Sequence, residues 1–158
     1  MKEYVLERRT KVPRRVVEVF PFFASAENLA RITPPELGFR IRSTTPVAMR
    51  VGALIDYTIK LWGLPFTWRT EITAWDPPHS FEDTQLRGPY GKWVHRHSFV
   101  EDAGGTAMID RVTYALPLGF IGRIVHPLIE RQLRRIFDYR ESVLQRELGE
   151  RPRARLSA

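Results

Sequence analysis

The chain of 158 residues contains no cysteine. Disulfide bridges, thiolate metal sites and a cysteine nucleophile are therefore excluded, while the cellular compartment stays undecided. No apolar run approaches the roughly 20 residues that a membrane-spanning helix needs. The first residues, MKEYVLERR, are charged and alternating, so we expect no signal peptide and take the cytoplasm as the default compartment.

Several motifs of common enzymes are also missing. The sequence has no GxSxG, no HExxH and no internal repeat. The segment 88–91, GPYG, is rich in turn formers but lacks the Lys-Ser/Thr ending and the following helix of a phosphate-binding loop. We interpret it as a hairpin loop at the mouth of a site, with Tyr90 as a lid residue. No cofactor is expected.

Lysine and arginine outnumber aspartate and glutamate, which gives a net charge of +7 and a pI of about 10.2. Such a balance is typical of proteins that bind nucleic acids or membrane surfaces. However, the basic residues are scattered along the chain, and nearby acidic residues dilute the densest group, at 131–155. We therefore expect a solvated helix face and a disordered tail at 150–158, with no nucleic-acid partner. Contact with anionic lipid is the alternative.

The first forty residues predict one strand and two short helices. Residues 3–11 alternate as a strand does. Four apolar residues then follow the spacing of an amphipathic helix: Val16, Val19, Phe20 and Phe23. Pro21 should kink or break this helix, because proline removes a main-chain hydrogen bond. Ser25 can cap a second short helix, which 33–35, TPP, would end.

From residue 38 the apolar period changes to two, as in strands. Strands are expected to begin near residues 38, 52 and 66, and three more span 79–87, 92–101 and 105–116. The short turns between them, rich in glycine and proline, favour a meander of antiparallel hairpins.

The period becomes helical again near the C-terminus. A helix is predicted over 119–148, with Gly149 as its stop and a kink or a fresh start at Pro127. Its apolar residues lie roughly on one stripe: Ile121, Ile124, Val125, Leu128, Gln132, Ile136, Tyr139, Val143 and Leu144.

The predicted inner face of three strands is unusually polar. Side chains alternate between the two faces of a strand, so one face over 81–114 combines the following residues: Phe81, Asp83, Gln85, Arg87, Trp93, His95, His97, Phe99, Met108, Asp110, Val112 and Tyr114. Buried polar groups cost free energy unless they are paired. A cavity that holds water or a ligand explains such a face most simply.

These elements predict an α+β fold. A twisted antiparallel sheet with one apolar face needs a cover, and the C-terminal helix is the only element long enough to provide it. We expect a curved antiparallel sheet of about seven strands wrapped around that helix. The length suits one domain, which we place at residues 1–149.

Four stretches carry a resemblance to a known family. They are ITPPELGF at 32–39, GxxIxYxIxLxGxPxxW at 52–68, FxDxQxRGPYxxWxHxHxF at 81–99 and GTxMxDxVxYxLPxG at 105–119. With the element order, they resemble the START-like (SRPBCC) superfamily of the helix-grip fold, most of all its bacterial polyketide cyclase/dehydrase-like branch. The resemblance covers about residues 3–148. It implies a cavity for a hydrophobic ligand but no particular reaction, since members cyclise polyketides, carry lipids or hormones, or chaperone quinones.

His95 and His97 point to one side of a strand, with Asp83 and Asp110 on neighbouring strands. Three interpretations stay open: a buried network that orients a ligand, general acid/base catalysis by a His/Asp pair, or a metal site in which the two histidines are half of the ligands. Only two convincing metal ligands are present, so no metal is predicted. A salt bridge between Asp83 and Arg87 is a further possibility.

The same face, with aromatic residues of two earlier strands, supplies the predicted ligand contacts. They are Tyr57, Ile59, Trp68, Asp83, Gln85, Arg87, Trp93, His95, His97, Phe99, Asp110, Val112 and Tyr114. An apolar wall with a polar floor suits an amphipathic small molecule. We therefore expect a binding or carrier protein for a lipid, quinone or polyketide-like molecule. The alternatives are a cyclase or dehydratase and a basic membrane-surface adaptor; the oligomeric state stays open.

Overall fold

A computed structural model describes residues 1–149 and contains seven strands. They are β1 (Glu3–Val12), β2 (Arg40–Ile41), β3 (Leu54–Leu61), β4 (Leu64–Asp76), β5 (Ser80–Arg87), β6 (Lys92–Asp102) and β7 (Gly105–Ala115). All pair antiparallel in one sheet of order β1-β7-β6-β5-β4-β3-β2. The chain therefore forms a hairpin meander from β2 to β7, and β1 closes the sheet beside β7.

The described part of the chain also contains two α-helices: α1 (Val16–Phe23) and α2 (Gly119–Leu148). The expected second short helix is a pair of 3₁₀ turns, Ala26–Ala30 and Pro35–Leu37. Ser25 precedes the first of them, but its hydroxyl bonds to the Glu27 carboxylate at 2.7 Å and does not cap the backbone. The predicted α+β helix-grip fold, with a curved antiparallel sheet and a long C-terminal helix, is confirmed.

Prolines interrupt neither helix. Pro21 lies in the last turn of α1, which continues to Phe23. Pro127 lies inside α2, which runs from Gly119 to Leu148 without a fresh start. The structure therefore has neither a break at Pro21 nor a new start at Pro127, because the remaining hydrogen bonds and packing carry each helix across the missing N–H. A kink, the other expectation at each proline, stays a prediction. The tail at 150–158 lies outside the described residues.

The face that α2 turns to the sheet differs from the predicted stripe in its first half. Ile121, Ile124 and Leu128 are 57%, 63% and 56% exposed. The buried side consists of Gly122, Ile129, Leu133, Phe137, Arg140, Val143, Leu144 and Leu148. The first half of α2 has more apolar residues than one helix face can bury. Periodicity alone therefore predicted the wrong face of this half as the buried one.

Two of the three apolar clusters of residues 1–149 pack α2 against the sheet. One surrounds Trp68, Tyr90 and Tyr114 and includes Leu133 and Phe137 of α2. The other joins α1 to the C-terminal half of α2 and consists of Val12, Val16, Val19, Phe20, Phe23, Ile32, Phe81, Phe99, Met108, Val143, Leu144 and Leu148. The polar groups of β5, β6 and β7 lie between these clusters.

Candidate ligand-binding site

A cavity of about 150 Å³ lies between the sheet, the segment from α1 to the 3₁₀ turns, and α2. Most of its wall is apolar: Phe22, Phe23, Ala26, Leu29, Ile32, Leu37, Phe39, Met49, Ile55, Tyr57, Ile59, Leu61, Trp68, Ile72, Phe81, Tyr90, Trp93, Leu133, Ile136 and Phe137. Tyr57 stacks on Trp68 with ring centroids 5.6 Å apart, and Trp93 meets Trp68 edge-on at 5.3 Å. This volume is close to that of cavities that accept a single aromatic ring.

Charged groups form one side of the cavity. Asp83 of β5, His95 and His97 of β6, and Arg140 of α2 all line it. The register of the sheet explains the first three, because β5 and β6 pair Asp83 directly with His95. His97 Nε2 lies 3.1 Å from Asp83 Oδ2, which fixes the imidazole against β5. Thr70 of β4 donates its hydroxyl hydrogen to Asp83 Oδ1 over 3.2 Å.

Asp110 of β7 lies behind these residues and connects them. It is 3% exposed. Its Oδ1 lies 3.0 Å from His95 Nε2, 3.0 Å from His97 Nδ1 and 3.0 Å from Arg140 Nη2. A buried carboxylate needs such partners to remain charged. We call the five connected side chains the polar network: Asp83, His95, His97, Asp110 and Arg140.

Asp110 is ionised in this setting. Burial raises the pKa of its carboxyl, but the charge of Arg140 and the hydrogen bonds from both histidines have the larger effect and bring the pKa well below the usual range. Burial also raises the pKa of Asp83, but the hydrogen bonds from His97 and Thr70 and the charge of His97 leave it below its ordinary value. Both carboxylates therefore act only as acceptors.

His95 is the neutral histidine of the pair. Burial and the nearby charge of His97 lower its pKa to about 4, although Asp110 opposes the shift. Since Asp110 can only accept, His95 Nε2 carries the hydrogen and Nδ1 carries the lone pair. His95 Nδ1 lies 3.8 Å from Asp83 Oδ2, beyond hydrogen-bond distance. His95 Nδ1 is thus an acceptor atom of a side chain that lines the cavity.

His97 is the group that gains a proton. Burial lowers its pKa, but the hydrogen bonds to Asp110 and Asp83 outweigh burial and raise the pKa above 6.5. Its Nδ1 also lies 3.2 Å from Arg140 Nη2. A neutral ring accepts from the guanidinium, whereas a protonated ring donates to both carboxylates. With His97 protonated, two cations balance two anions and the polar network is neutral.

Two hydrogen-bond donors in this wall have no partner among residues 1–149. They are the indole N–H of Trp68 and the Nε–H of Arg140, and both nitrogens are buried. Buried donors are nearly always satisfied in proteins, and an unsatisfied one costs about 1–3 kcal/mol. Because both side chains line the cavity, acceptor atoms of a ligand could satisfy them.

The same residues offer a poor metal site. Asp83, His95 and His97 present three ligand atoms within 4.8 Å of one another. However, the Arg140 guanidinium contacts His97, and its positive charge opposes a divalent cation. His97 Nε2 and His95 Nε2 already face carboxylates. The arrangement fits hydrogen bonding better than metal ligation.

Seven of the predicted contact residues line the cavity: Tyr57, Ile59, Trp68, Asp83, Trp93, His95 and His97. Six do not. Gln85 bonds through its side chain to the Tyr90 backbone in the β5–β6 loop. Arg87 is exposed at the end of β5, and Asp83 pairs with the histidines of β6. Phe99, Val112 and Tyr114 are buried in the two apolar clusters, and Asp110 lies behind the histidines. For all of them, contact with a ligand stays a prediction.

Sequence reasoning missed Arg140, the only α2 member of the polar network. It was assigned to the solvated face of the last helix, yet it is 7% exposed. A signal was present: Arg140 lies seven residues after Leu133, three after Phe137 and four before Leu144, which places it on the buried stripe. Tyr90, expected as a lid, is buried and belongs to the cavity wall.

Solved structures share this architecture. Zhui aromatase/cyclase from Streptomyces sp. R1128 is 16% identical, with a TM-score of 0.75 over 99% of this chain and 100% of that chain. Protein Ms6760 from Mycobacterium smegmatis is 19% identical, with a TM-score of 0.67 over 90% and 88%. Ginseng major latex-like protein 151 from Panax ginseng is 12% identical, with a TM-score of 0.60 over 89% and 96%. At these identities the likeness establishes the fold.

No curated protein sequence matches the chain. Residues 12–138, by contrast, match the family described as polyketide cyclase / dehydrase and lipid transport. This match includes every strand from β2 to β7, the polar residues of β5 to β7 and the cavity-lining part of α2 up to Phe137. Together with the helix-grip fold, it shows that the chain belongs to the polyketide cyclase/dehydrase and lipid transport family of the START-like superfamily.

Proposed function

We propose that this protein binds a neutral, ring-bearing lipophilic molecule that carries carbonyl or quinone oxygens. The observation that carries the proposal is the pair of unpaired donors, Trp68 N–H and Arg140 Nε–H, in the wall of a mainly apolar cavity. Apolar burial supplies affinity, and the two donors select oxygen acceptors. His95 Nδ1 adds one acceptor, which suits a hydroxyl on the same ring.

Charge balance supports a neutral head group. With His97 protonated, the charges of the polar network already cancel. An ionised ligand group would add an uncompensated charge to a buried site, which is costly. The wall also bears Tyr57, Trp68 and Trp93, whose flat faces can stack on a conjugated ring.

A matched pair of probes tests this proposal: naphthalene and 1,4-naphthoquinone, which share a ring system and differ in two carbonyl oxygens. The chain contains no cysteine that a quinone could alkylate. By isothermal titration calorimetry we expect the quinone to bind about tenfold more tightly, since two modest hydrogen bonds together contribute about 1.4 kcal/mol.

Trp68→Phe is the discriminating variant, because it keeps an aromatic ring and removes the N–H. It should reduce the preference for the quinone and leave naphthalene affinity within about threefold. Trp75→Phe, at a tryptophan outside the cavity wall, is the control. Equal affinity of the wild type for both probes would contradict the proposal. Native mass spectrometry of the freshly purified protein would then be searched for an adduct of another class.

A cyclase or dehydratase is the second candidate. Its support is the His95–Asp110 pair, in which the carboxylate holds one ring nitrogen of a histidine that lines the cavity, and the similarity to an aromatase/cyclase. The pKa of His95, about 4, makes it a weak base near neutral pH, and the hydrogen bonds of His97 to two carboxylates raise its pKa and favour its protonated form. We therefore place binding first. His95→Gln should abolish turnover of a poly-β-ketone thioester while sparing binding if the enzyme reading is correct.

A further inference from the structure

The exposed apolar residues of this chain are concentrated at one end of the sheet. In an antiparallel meander the β3–β4 turn, the β5–β6 loop and the β7–α2 junction share that end, as the pairs Leu61 with Leu64 and Lys92 with Ala115 show. Within residues 1–149, ten of the fifteen exposed large hydrophobic residues lie on these segments or on adjoining ones: Met1, Trp62, Leu64, Leu86, Leu118, Phe120, Ile121, Ile124, Val125 and Leu128.

The first half of α2 contributes a continuous apolar face. Phe120 is 74% exposed and Ile124 is 63% exposed. At about 100° per residue, the five apolar residues between 120 and 128 share an arc of roughly 140°. The buried residues Gly122, Ile129 and Leu133 lie on the opposite side of the helix. Such a face is larger than the scattered apolar residues of an ordinary surface and marks an interaction site.

Arginines border this face. The segment 119–136 contains four arginines and one glutamate, Glu130. Glu130 pairs with Arg134, and within residues 1–149 Arg123 and Arg131 have no acidic partner. Arg131 and Arg135 follow the apolar residues on the same arc. The surface therefore combines an apolar tip with a cationic margin.

We propose that this end of the molecule, the docking face, binds the surface of an anionic lipid bilayer. An apolar helix face flanked by arginine is the pattern of helices that lie in a membrane interface, where apolar burial and attraction to anionic head groups act together. No helix within residues 1–149 is long and apolar enough to cross a membrane. Contact is therefore peripheral, and the charge favours the anionic cytoplasmic leaflet over a neutral surface.

The docking face and the cavity share α2. Leu133, Ile136, Phe137 and Arg140 line the cavity one to three turns after the docking residues. A bilayer bound at the first half of the helix would thus lie next to the wall that holds the ligand. This step rests on the proposed ligand binding. The geometry then makes the membrane the compartment from which a lipophilic ligand enters the cavity and to which it returns.

Vesicle co-sedimentation tests the docking face directly. The wild type should bind phosphatidylcholine vesicles that contain phosphatidylglycerol and should bind pure phosphatidylcholine vesicles at least about tenfold more weakly. Raising the salt concentration should weaken binding, because screening shortens the range of the attraction. The double variant Phe120→Ser/Ile124→Ser should lose at least about tenfold in vesicle affinity, since two apolar side chains no longer enter the interface.

Val100→Ser, at an apolar residue exposed at the other end of the sheet, is the matched control and should bind vesicles as the wild type does. An unchanged melting temperature verifies that the double variant is folded. Equal vesicle binding by the double variant and the wild type, or no binding by either, would overturn the proposal. So would a wild-type dimer in sedimentation equilibrium that the double variant abolishes, because the face would then belong to a second copy. Naphthoquinone titration of the double variant separates the two proposals, since binding in solution does not involve the docking face.

Discussion

Replacing Asp110 by asparagine tests whether the polar network holds the sheet and α2 together. The substitution keeps the size of the side chain and removes its charge. Asp110 Oδ1 has three partners within 3.0 Å, and two of them are the histidines of β6, while the third is Arg140 of α2. In the variant, Arg140 loses its buried counter-charge, and one donor must face an amide N–H.

The expected cost follows from this burial. Removing one partner of a buried ion pair destabilises a protein by about 3–5 kcal/mol. We take the lower end, about 3 kcal/mol, because the amide oxygen still accepts one hydrogen bond. For a chain of this length that loss corresponds to a melting temperature lower by about 6–12 °C. A domain of ordinary stability, about 5–15 kcal/mol, would still fold.

Urea unfolding at neutral pH, followed by far-UV circular dichroism, measures the free energy of unfolding. Asp138→Asn is the control, because that carboxylate is 60% exposed in its pair with Arg8 and exposed pairs contribute little. The carboxylates that the two substitutions remove differ mainly in burial. An Asp110→Asn protein as stable as Asp138→Asn would refute the view that this carboxylate is a charged structural centre.

Three further predictions concern the histidines and the start of α2. The pKa of His95 is about 4 in the folded protein against 6.5 ordinarily, so its protonation opposes folding. In urea titrations the free energy of unfolding of the wild type should fall by about 3 kcal/mol relative to that of His95→Gln as the pH falls from 6.5 to 4. Parallel pH profiles of the two proteins would contradict this. The raised pKa of His97 has the opposite effect: its contribution to stability is complete below pH 6.5 and is lost as the pH rises through the folded pKa. His97→Gln should therefore lower the free energy of unfolding more near pH 6 than near pH 9. An imidazole NMR titration with a midpoint below 6.5 would exclude the shift. Gly122→Ala should destabilise by about 1–3 kcal/mol despite the helix preference of alanine, because its Cβ would lie 2.6 Å from the Pro117 carbonyl oxygen; a higher melting temperature in differential scanning calorimetry would show that the junction can relax.

Alternation and helical spacing predicted most of the fold. The strands of residues 80–115 and the helix over 119–148 appear within a residue or two of the expected bounds. Alternation also placed Asp83, His95, His97 and Asp110 on one inner face, because each strand fixes which side chains share a side. These local rules hold wherever strands are regular.

The structure departs from the expected placements where tertiary contacts decide. Gln85 and Arg87 follow the alternation, but the pairing of β4 with β5 shifts register at Arg69/Thr70, and the Gln85 side chain turns to the loop. The orientation of α2 depends on which of two apolar stripes the sheet accepts, and Gly122 can approach the Pro117 carbonyl where larger residues cannot. Arg140 was missed because its burial depends on partners from two strands distant in the chain.

The two halves of α2 are held very differently, which has a consequence for motion. Six of its eight buried residues lie from Leu133 onward, and Arg140 adds an ionic link there. The first half has two buried residues and one side-chain hydrogen bond to the sheet, between His126 and Tyr114, and Pro127 removes one main-chain bond. We expect backbone amides of the first half to exchange with solvent by local opening, well before those of the second half, which should exchange only with global unfolding. The helix would then act as a hinged cover, fixed at its C-terminal end, and the cavity could admit a molecule larger than its resting volume without unfolding the sheet.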